Sequence, residues 1–219
     1  KQVIDGGSTR FDVNDECQGD AASTGAKIYI VGDSLTVGMR DKGDLNSKLQ
    51  EKGWNASKIQ ATNGYNISDS LPKIDEDANV IEESDTILIA LGTNPEVNFE
   101  QKIPEIITKI KNMAPDAKIY WMNVHVKDGA YIDPSFLGND GVNRLIESKS
   151  EDLGYTVLDW ATEVSNNANK YPYLEDGVHH TDSGYSERAK WLVDELGEAP
   201  PTSSTSPSTS VDTGAPQTN

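Results

Sequence analysis

Five short apolar runs, alternating with stretches of helical periodicity, constrain the fold of this chain more than any other feature. The runs fall at 27–32 (KIYIVG), 57–62 (SKIQAT), 85–91 (DTILIAL), 117–124 (AKIYWMNV) and 155–159 (YTVLD). Helical stretches are expected at about 43–52, 69–79, 98–113, 138–153 and 182–196. The clearest is 98–113, where Phe99, Ile103, Ile106, Ile107, Ile110 and Met113 share one face. Pro104 sits early enough in it to be tolerated. Strands alternating with helices predict an α/β fold with a parallel sheet covered on both faces. In such sheets ligands bind beyond the carboxyl ends of the strands, so any chemistry should gather there.

The 219 residues suit one domain with tails, and a hydrophobic fraction of 35% supplies one core. Residues 1–22 read as a polar N-terminal extension, although Arg10–Val13 (RFDV) suits an added strand. Residues 23–198 read as the folded domain and 199–219 as a linker, dense in Pro, Ser and Thr, that tethers further domains. Lys1 in place of Met points to a processed or trimmed N-terminus. No run of about 18 apolar residues appears, which argues against membrane insertion within this chain. Nineteen Lys and Arg against 36 Asp and Glu give a formal charge of −17, a surface that repels nucleic-acid backbones. Cys17 is the single cysteine, so neither an internal disulfide nor a thiolate metal site is available.

Polar residues of an unusual kind stand at the strand ends. Gly32-Asp33-Ser34-Leu35 follows the first run, Asn63-Gly64-Tyr65 the second, and Gly92-Thr93-Asn94 the third. Near the C-terminus Asp176 precedes His179 by three residues, just ahead of the last helix. A serine hydroxyl is a poor nucleophile until a base takes its proton, and an imidazole oriented by a carboxylate is suited to that task. Asp176 and His179 have those identities, with Asp33 and Asp182 as alternative orienters. Acyl transfer also needs donors for the developing oxyanion. The amides of Ser34 and Gly64 and the side chain of Asn94 suit that role, Gly64 because a bare backbone approaches substrate closely. Asn94 alternatively caps the helix that starts near Asn98. Taken singly each piece is an ordinary turn or cap; their order along the chain carries the signal.

These blocks resemble the SGNH hydrolase superfamily, also called GDSL esterases, over about residues 26–197. The resemblance implies Ser34 as nucleophile, His179 as base, Asp176 as its partner, and Ser34, Gly64 and Asn94 around the oxyanion. It also implies a three-layer αβα sandwich around a parallel sheet of about five strands, flavodoxin-like in outline. The C-terminal half is similar to the extracellular SGNH domains of peptidoglycan O-acetyltransferases. In those, an Asn like Asn143 begins a helix, an Asp-Trp pair like Asp159-Trp160 ends the last strand, and Asp-Gly-Val-His leads into a Gly-Tyr helix. Tyr65 and His180 depart from that pattern, where Arg or Ser and Pro or Leu are more usual. A conventional α/β-hydrolase fits less well, since Ser34 is followed by Leu35-Thr36 rather than by x-Gly.

His179, His180 and Asp176, with His125, raise a metal site, but adjacent residues on a turn rarely converge on one ion, and no metal or other cofactor is expected. His125 reads as a strand-end residue near the cleft, and the four tryptophans as core. The expected function is a metal-independent acyl-ester hydrolase acting on an O-acylated glycan or small ester, extracellular or associated with a bacterial cell wall. The alternatives are an O-acetyltransferase acting on cell-wall glycan, and a glycan-binding module without turnover.

Overall fold

The computed structural model describes residues 25–128, 130 and 137–201. The expected strand at Arg10–Val13, Cys17 and most of the Pro/Ser/Thr segment lie outside the described residues. Five parallel strands form one sheet: β1 (Lys27–Gly32), β2 (Asn55–Ala61), β3 (Thr86–Ala90), β4 (Lys118–Met122) and β5 (Thr156–Leu158). Their spatial order is β2-β1-β3-β4-β5. The chain therefore winds outward from β1 in one direction and then in the other, which leaves a switch point between β1 and β3. Every residue of β3 is buried, whereas β2, at an edge, is nowhere fully buried.

Alternation along β1 builds two cores. Ile28 and Ile30 face one layer, with Leu35, Met39, Trp160 and Leu192, while Tyr29 and Val31 face the other, with Ile74, Ile103, Ile107 and Trp121. The first layer comprises α1 (Ser34–Asp41), α2 (Leu45–Glu51), α7 (Trp160–Asn166) and α8 (Asp182–Leu196). The second comprises α3 (Ile67–Glu76), α4 (Ala78–Glu82), α5 (Phe99–Met113) and α6 (Gly138–Leu153). The three-layer αβα sandwich expected from the resemblance is the fold observed. All four tryptophans are core residues, none more than 8% exposed.

Sequence periodicity located most elements and missed two helices. The single expected helix at 69–79 is two, α3 and α4, parted at Asp77. Pro104 is the sixth residue of α5, beyond the first turn, yet the helix continues through it because Ile103, Ile106, Ile107 and Ile110 are buried on either side. Neither α1 nor α7 is apparent from periodicity. Each begins directly after a strand on an aspartate cap: Asp33 accepts from the Leu35 amide at 2.9 Å, and Asp159 from the Thr162 amide at 3.2 Å. Asp159-Trp160 thus starts α7 rather than merely ending β5. Asn143 does not begin α6 but lies inside it, where its amide accepts from Val124 N at 2.9 Å and donates to Val124 O at 2.8 Å. Among the described residues, no helix is long and apolar enough to cross a membrane.

Candidate active site

Ser34 is the first residue of α1, at the carboxyl end of β1 beside the switch point. The Asp33 cap stops the strand and opens the helix, so Ser34 stands at the helix N-terminus with an amide that has no intrahelical acceptor. The partial positive charge at such a terminus favours an anion formed near Ser34.

The imidazole beside Ser34 arrives from 145 residues away. His179 Nε2 lies 2.9 Å from Ser34 Oγ, and His179 Nδ1 lies 2.8 Å from Asp176 Oδ2. The other carboxylate oxygen of Asp176 accepts from the amides of Val178 and His179, each at 2.8 Å. These amides close a tight turn, with Gly177 at φ +70°, that holds the carboxylate against its own imidazole. Partial burial pushes the Asp176 carboxyl up, but the two amides and the imidazole outweigh it and leave the group below its ordinary range. Asp176 therefore stays ionised, as an orienter of His179 must.

The alternative orienters are engaged elsewhere. Asp182 pairs with Lys42 at 3.0 Å on the surface. Asp33 is buried, with Oδ1 on the Leu35 amide and Oδ2 3.5 Å from Asn94 Nδ2. Burial lifts the Asp33 carboxyl above its ordinary value, against the pull of the Leu35 amide, Arg188 and Thr93.

Gly64 and Asn94 both line the cleft that holds Ser34 and His179, a hollow of about 510 Å³ also bordered by Val37, Lys42, Leu174 and Tyr185. Gly64 has φ +80° with open space where a Cβ would stand, so the backbone conformation, rather than crowding, calls for glycine here. Asn94 does not cap α5; that position belongs to Asn98. Its Nδ2 instead donates to Tyr65 O at 2.8 Å, across the gap between the β2 and β3 ends, which fixes one N–H and leaves the other at the cleft with only a long, 3.5 Å approach to Asp33 Oδ2.

The remaining imidazoles do not join the triad. His180 is fully buried between Trp160, Tyr173 and Tyr185. Burial first, then the neighbouring Arg188, pushes its pKa down to about 3. His125 Nδ1 lies 2.8 Å from Tyr173 Oη, and its ring borders a separate hollow of about 350 Å³ behind the triad turn rather than the cleft itself. Among the described residues, no group of three or more His, Cys, Asp or Glu side chains is placed to hold a metal ion. A larger hollow of about 620 Å³ lies along α5 at Pro104, Thr108 and Met113, away from the strand ends, and its lining holds no histidine, serine or cysteine.

The family model for the GDSL-like lipase/acylhydrolase family matches residues 30–186, a span that includes every one of these site residues. The chain belongs to the GDSL-like lipase/acylhydrolase family. Among curated proteins no sequence matches it. Solved structures share its fold. A lipase/acylhydrolase from Enterococcus faecalis superposes with a TM-score of 0.63 at 17% identity, over 81% of this chain and 98% of that one. An acetylxylan esterase from Geobacillus stearothermophilus gives 0.62 at 20% identity, over 80% and 96%. An alpha/beta hydrolase from the metagenome of Lake Arreo gives 0.63 at 16%, over 78% and 95%.

The sequence blocks marked Ser34, Gly64, Asn94, Asp176 and His179, which the structure brings to one cleft, but not the cleft walls. Val37, Lys42 and Tyr185 come from α1, the residue after it, and α8. One signal for that seam was present: Gly38, where an added Cβ would lie 2.1 Å from the Tyr185 ring, marks where α1 and α8 touch.

Proposed function

We propose that this GDSL-family protein is a serine-dependent esterase that removes acyl groups, acetyl above all, from O-acylated glycans or small esters outside the cell. The observation that carries the reading is the unbroken Ser34–His179–Asp176 chain, with links of 2.9 and 2.8 Å, at the mouth of an open cleft. His179 takes the Ser34 proton as Oγ attacks the ester carbonyl, and Asp176 holds the resulting imidazolium. The amides of Ser34 and Gly64 and the second N–H of Asn94, held only weakly by Asp33, receive the oxyanion. His179 then returns its proton to the departing sugar oxygen, leaving Ser34 acylated. Water, activated by the same imidazole, releases the carboxylic acid.

The triad is half open to solvent, with the His179 and Asp176 side chains 37% and 44% exposed, which suits an ester on the outside of a large glycan. Leu174, 45% exposed at the rim, offers an apolar contact for the acyl group or a sugar face. An acetylxylan esterase among the structural neighbours supports an acetylated glycan as substrate. Transfer to a sugar hydroxyl, as the resemblance to peptidoglycan O-acetyltransferase domains implies, would use the same acyl-enzyme with a different acceptor.

A fluorophosphonate probe tests the mechanism. One label on Ser34 by mass spectrometry, abolished by His179→Ala, is the expected result; label elsewhere, or none on folded protein, overturns it. Acetate release from acetylated xylan and acetylated peptidoglycan, measured side by side, tests the substrate. Acetylated acceptor sugar accumulating in place of free acetate would make the enzyme a transferase. Binding of these glycans with no turnover, and no hydrolysis of p-nitrophenyl acetate, would make it a binding module.

A further inference from the structure

Arg188 is 3% exposed in the middle of α8 and takes no direct part in the chemistry above. A buried charge is costly unless paired, and arginine keeps its charge in proteins. Among the described residues no carboxylate lies within ion-pair distance of this guanidinium, and buried Asp33 acts on it only at longer range. The guanidinium carbon sits 4.6 Å from the Trp160 ring centre, NH1 lies 3.5 Å from His180 Nε2, at the long limit of a hydrogen bond, NH2 lies 3.9 Å from Met122 Sδ, and Nε has no acceptor among the described residues. The one nitrogen acceptor it meets belongs to the residue next to the catalytic base.

His180 is held from every side. Its ring centre is 4.2 Å from that of Tyr173, 5.5 Å from Tyr185 and 5.9 Å from Trp160. Its backbone forms an isolated antiparallel bridge with Tyr173, flanked by bonds from Leu174 N to His179 O at 2.7 Å and from Thr181 N to Pro172 O at 3.0 Å. The first turn of α8 seats directly on this hairpin, since a Cβ on Gly184 would lie 2.6 Å from Pro172 O and 2.9 Å from His180 Cβ. Consecutive side chains on extended backbone point to opposite sides. With His180 turned inward, His179 is turned out towards Ser34.

We propose that His180 and Arg188 are a positioning pair, in which the buried guanidinium engages His180 Nε2, pins the hairpin from Pro172 to Thr181 onto α8, and thereby sets where His179 stands. A guanidinium has only donors, so in this pairing Nε2 accepts and the His180 proton resides on Nδ1, which is buried and has no hydrogen-bond partner among the described residues. The burial and neighbouring cation that depress His180 keep it neutral, hence an acceptor, at any pH where an esterase works. An apolar residue at 180 would fill the same space but leave Arg188 without its acceptor.

The inference rests on Ser34 being the nucleophile, and the experiment separates the two. Fluorophosphonate labelling rates at Ser34, together with kcat and KM on p-nitrophenyl acetate, are compared for wild type, His180→Leu, His180→Gln and the double variant His180→Leu/Arg188→Met. Misplacing the base should slow labelling and lower kcat by about 10- to 100-fold in His180→Leu, with KM within about twofold. His180→Gln, which restores an acceptor, should recover much of the loss, whereas the double variant, which lacks both halves of the pair, should lose about as much as His180→Leu alone and no more. Wild-type reactivity in His180→Leu, or a Gln variant no better than Leu, overturns the proposal. If His180→Leu does not fold, His180→Gln carries the test: a folded, reactive Gln variant supports the pairing and an equally unfolded one overturns it. Nitrogen-15 NMR of the wild type should show His180 neutral and protonated on Nδ1; an Nε2-protonated ring overturns the pairing whatever the enzyme acts on. A wild type that takes no label sinks the serine-esterase reading instead.

Discussion

Replacing Asn94 by alanine separates its two N–H groups by their consequences. One is bound to Tyr65 O at 2.8 Å, and the other is left at the cleft, 3.5 Å being a weak approach to Asp33 Oδ2. Loss of a single oxyanion donor costs about 2.7–4 kcal/mol at the transition state, or roughly 10²–10³ in kcat. Loss of the bond to Tyr65 is a ground-state matter worth about 1 kcal/mol, because water can reach that carbonyl at the cleft edge. For a domain of this size that is about 2–4 °C in Tm. Steady-state hydrolysis of p-nitrophenyl acetate gives the first quantity and thermal unfolding by circular dichroism the second. The expected result is a hundredfold-or-greater fall in kcat beside a Tm change of a few degrees. Asn94→Asp, equal in size, should be no better, since its carboxylate would face both the oxyanion and buried Asp33. A kcat within about threefold of wild type would refute the donor assignment, given the expected loss. A rate loss that disappears at low temperature, where the variant is fully folded, would make Asn94 a brace for Tyr65 and nothing more.

Three further outcomes are expected. Gly38→Ala places a Cβ 2.1 Å from Tyr185, whose ring is buried against His180 and has nowhere to retreat, so α1 and α8 must part. Overpacking of this kind costs about 1–3 kcal/mol, read as a lower Tm together with lost activity; unchanged values for both would contradict the packing described. Asp33 has a folded-state pKa above its unfolded value, so it binds more protons when folded and its contribution to stability declines as pH rises through and above the ordinary carboxylate range. Asp33→Asn, which retains the capping oxygen, should therefore gain Tm relative to wild type at pH 8 compared with pH 4; a larger gain at pH 4 would reverse the sign. Finally, EDTA should leave p-nitrophenyl acetate hydrolysis unchanged, since no described cluster suits a metal ion, and restoration of a chelated enzyme by zinc would overturn the mechanism.

The chain alone determined its fold class, because burying a sheet on both faces writes itself locally as short apolar runs alternating with amphipathic helices. It also determined Ser34, His179, Asp176, Gly64 and Asn94 as candidates, because the chemistry demands those residue types and the order of the blocks narrows where they fall. Residues such as Thr36, Val37 and Gly38 gave α1 little helical propensity, and that helix exists because Asp33 caps it and Tyr185 occupies the space Gly38 leaves. Two adjacent histidines are equivalent on paper. Which one faces Ser34 was decided by a hairpin bridge, by aromatic rings from three elements and by a guanidinium from α8. Periodicity and motif spacing report what a residue meets within a turn or two of chain. The burial of His180 and Arg188 depends on partners brought together by the winding of the sheet, and only the assembled tertiary structure carries that information.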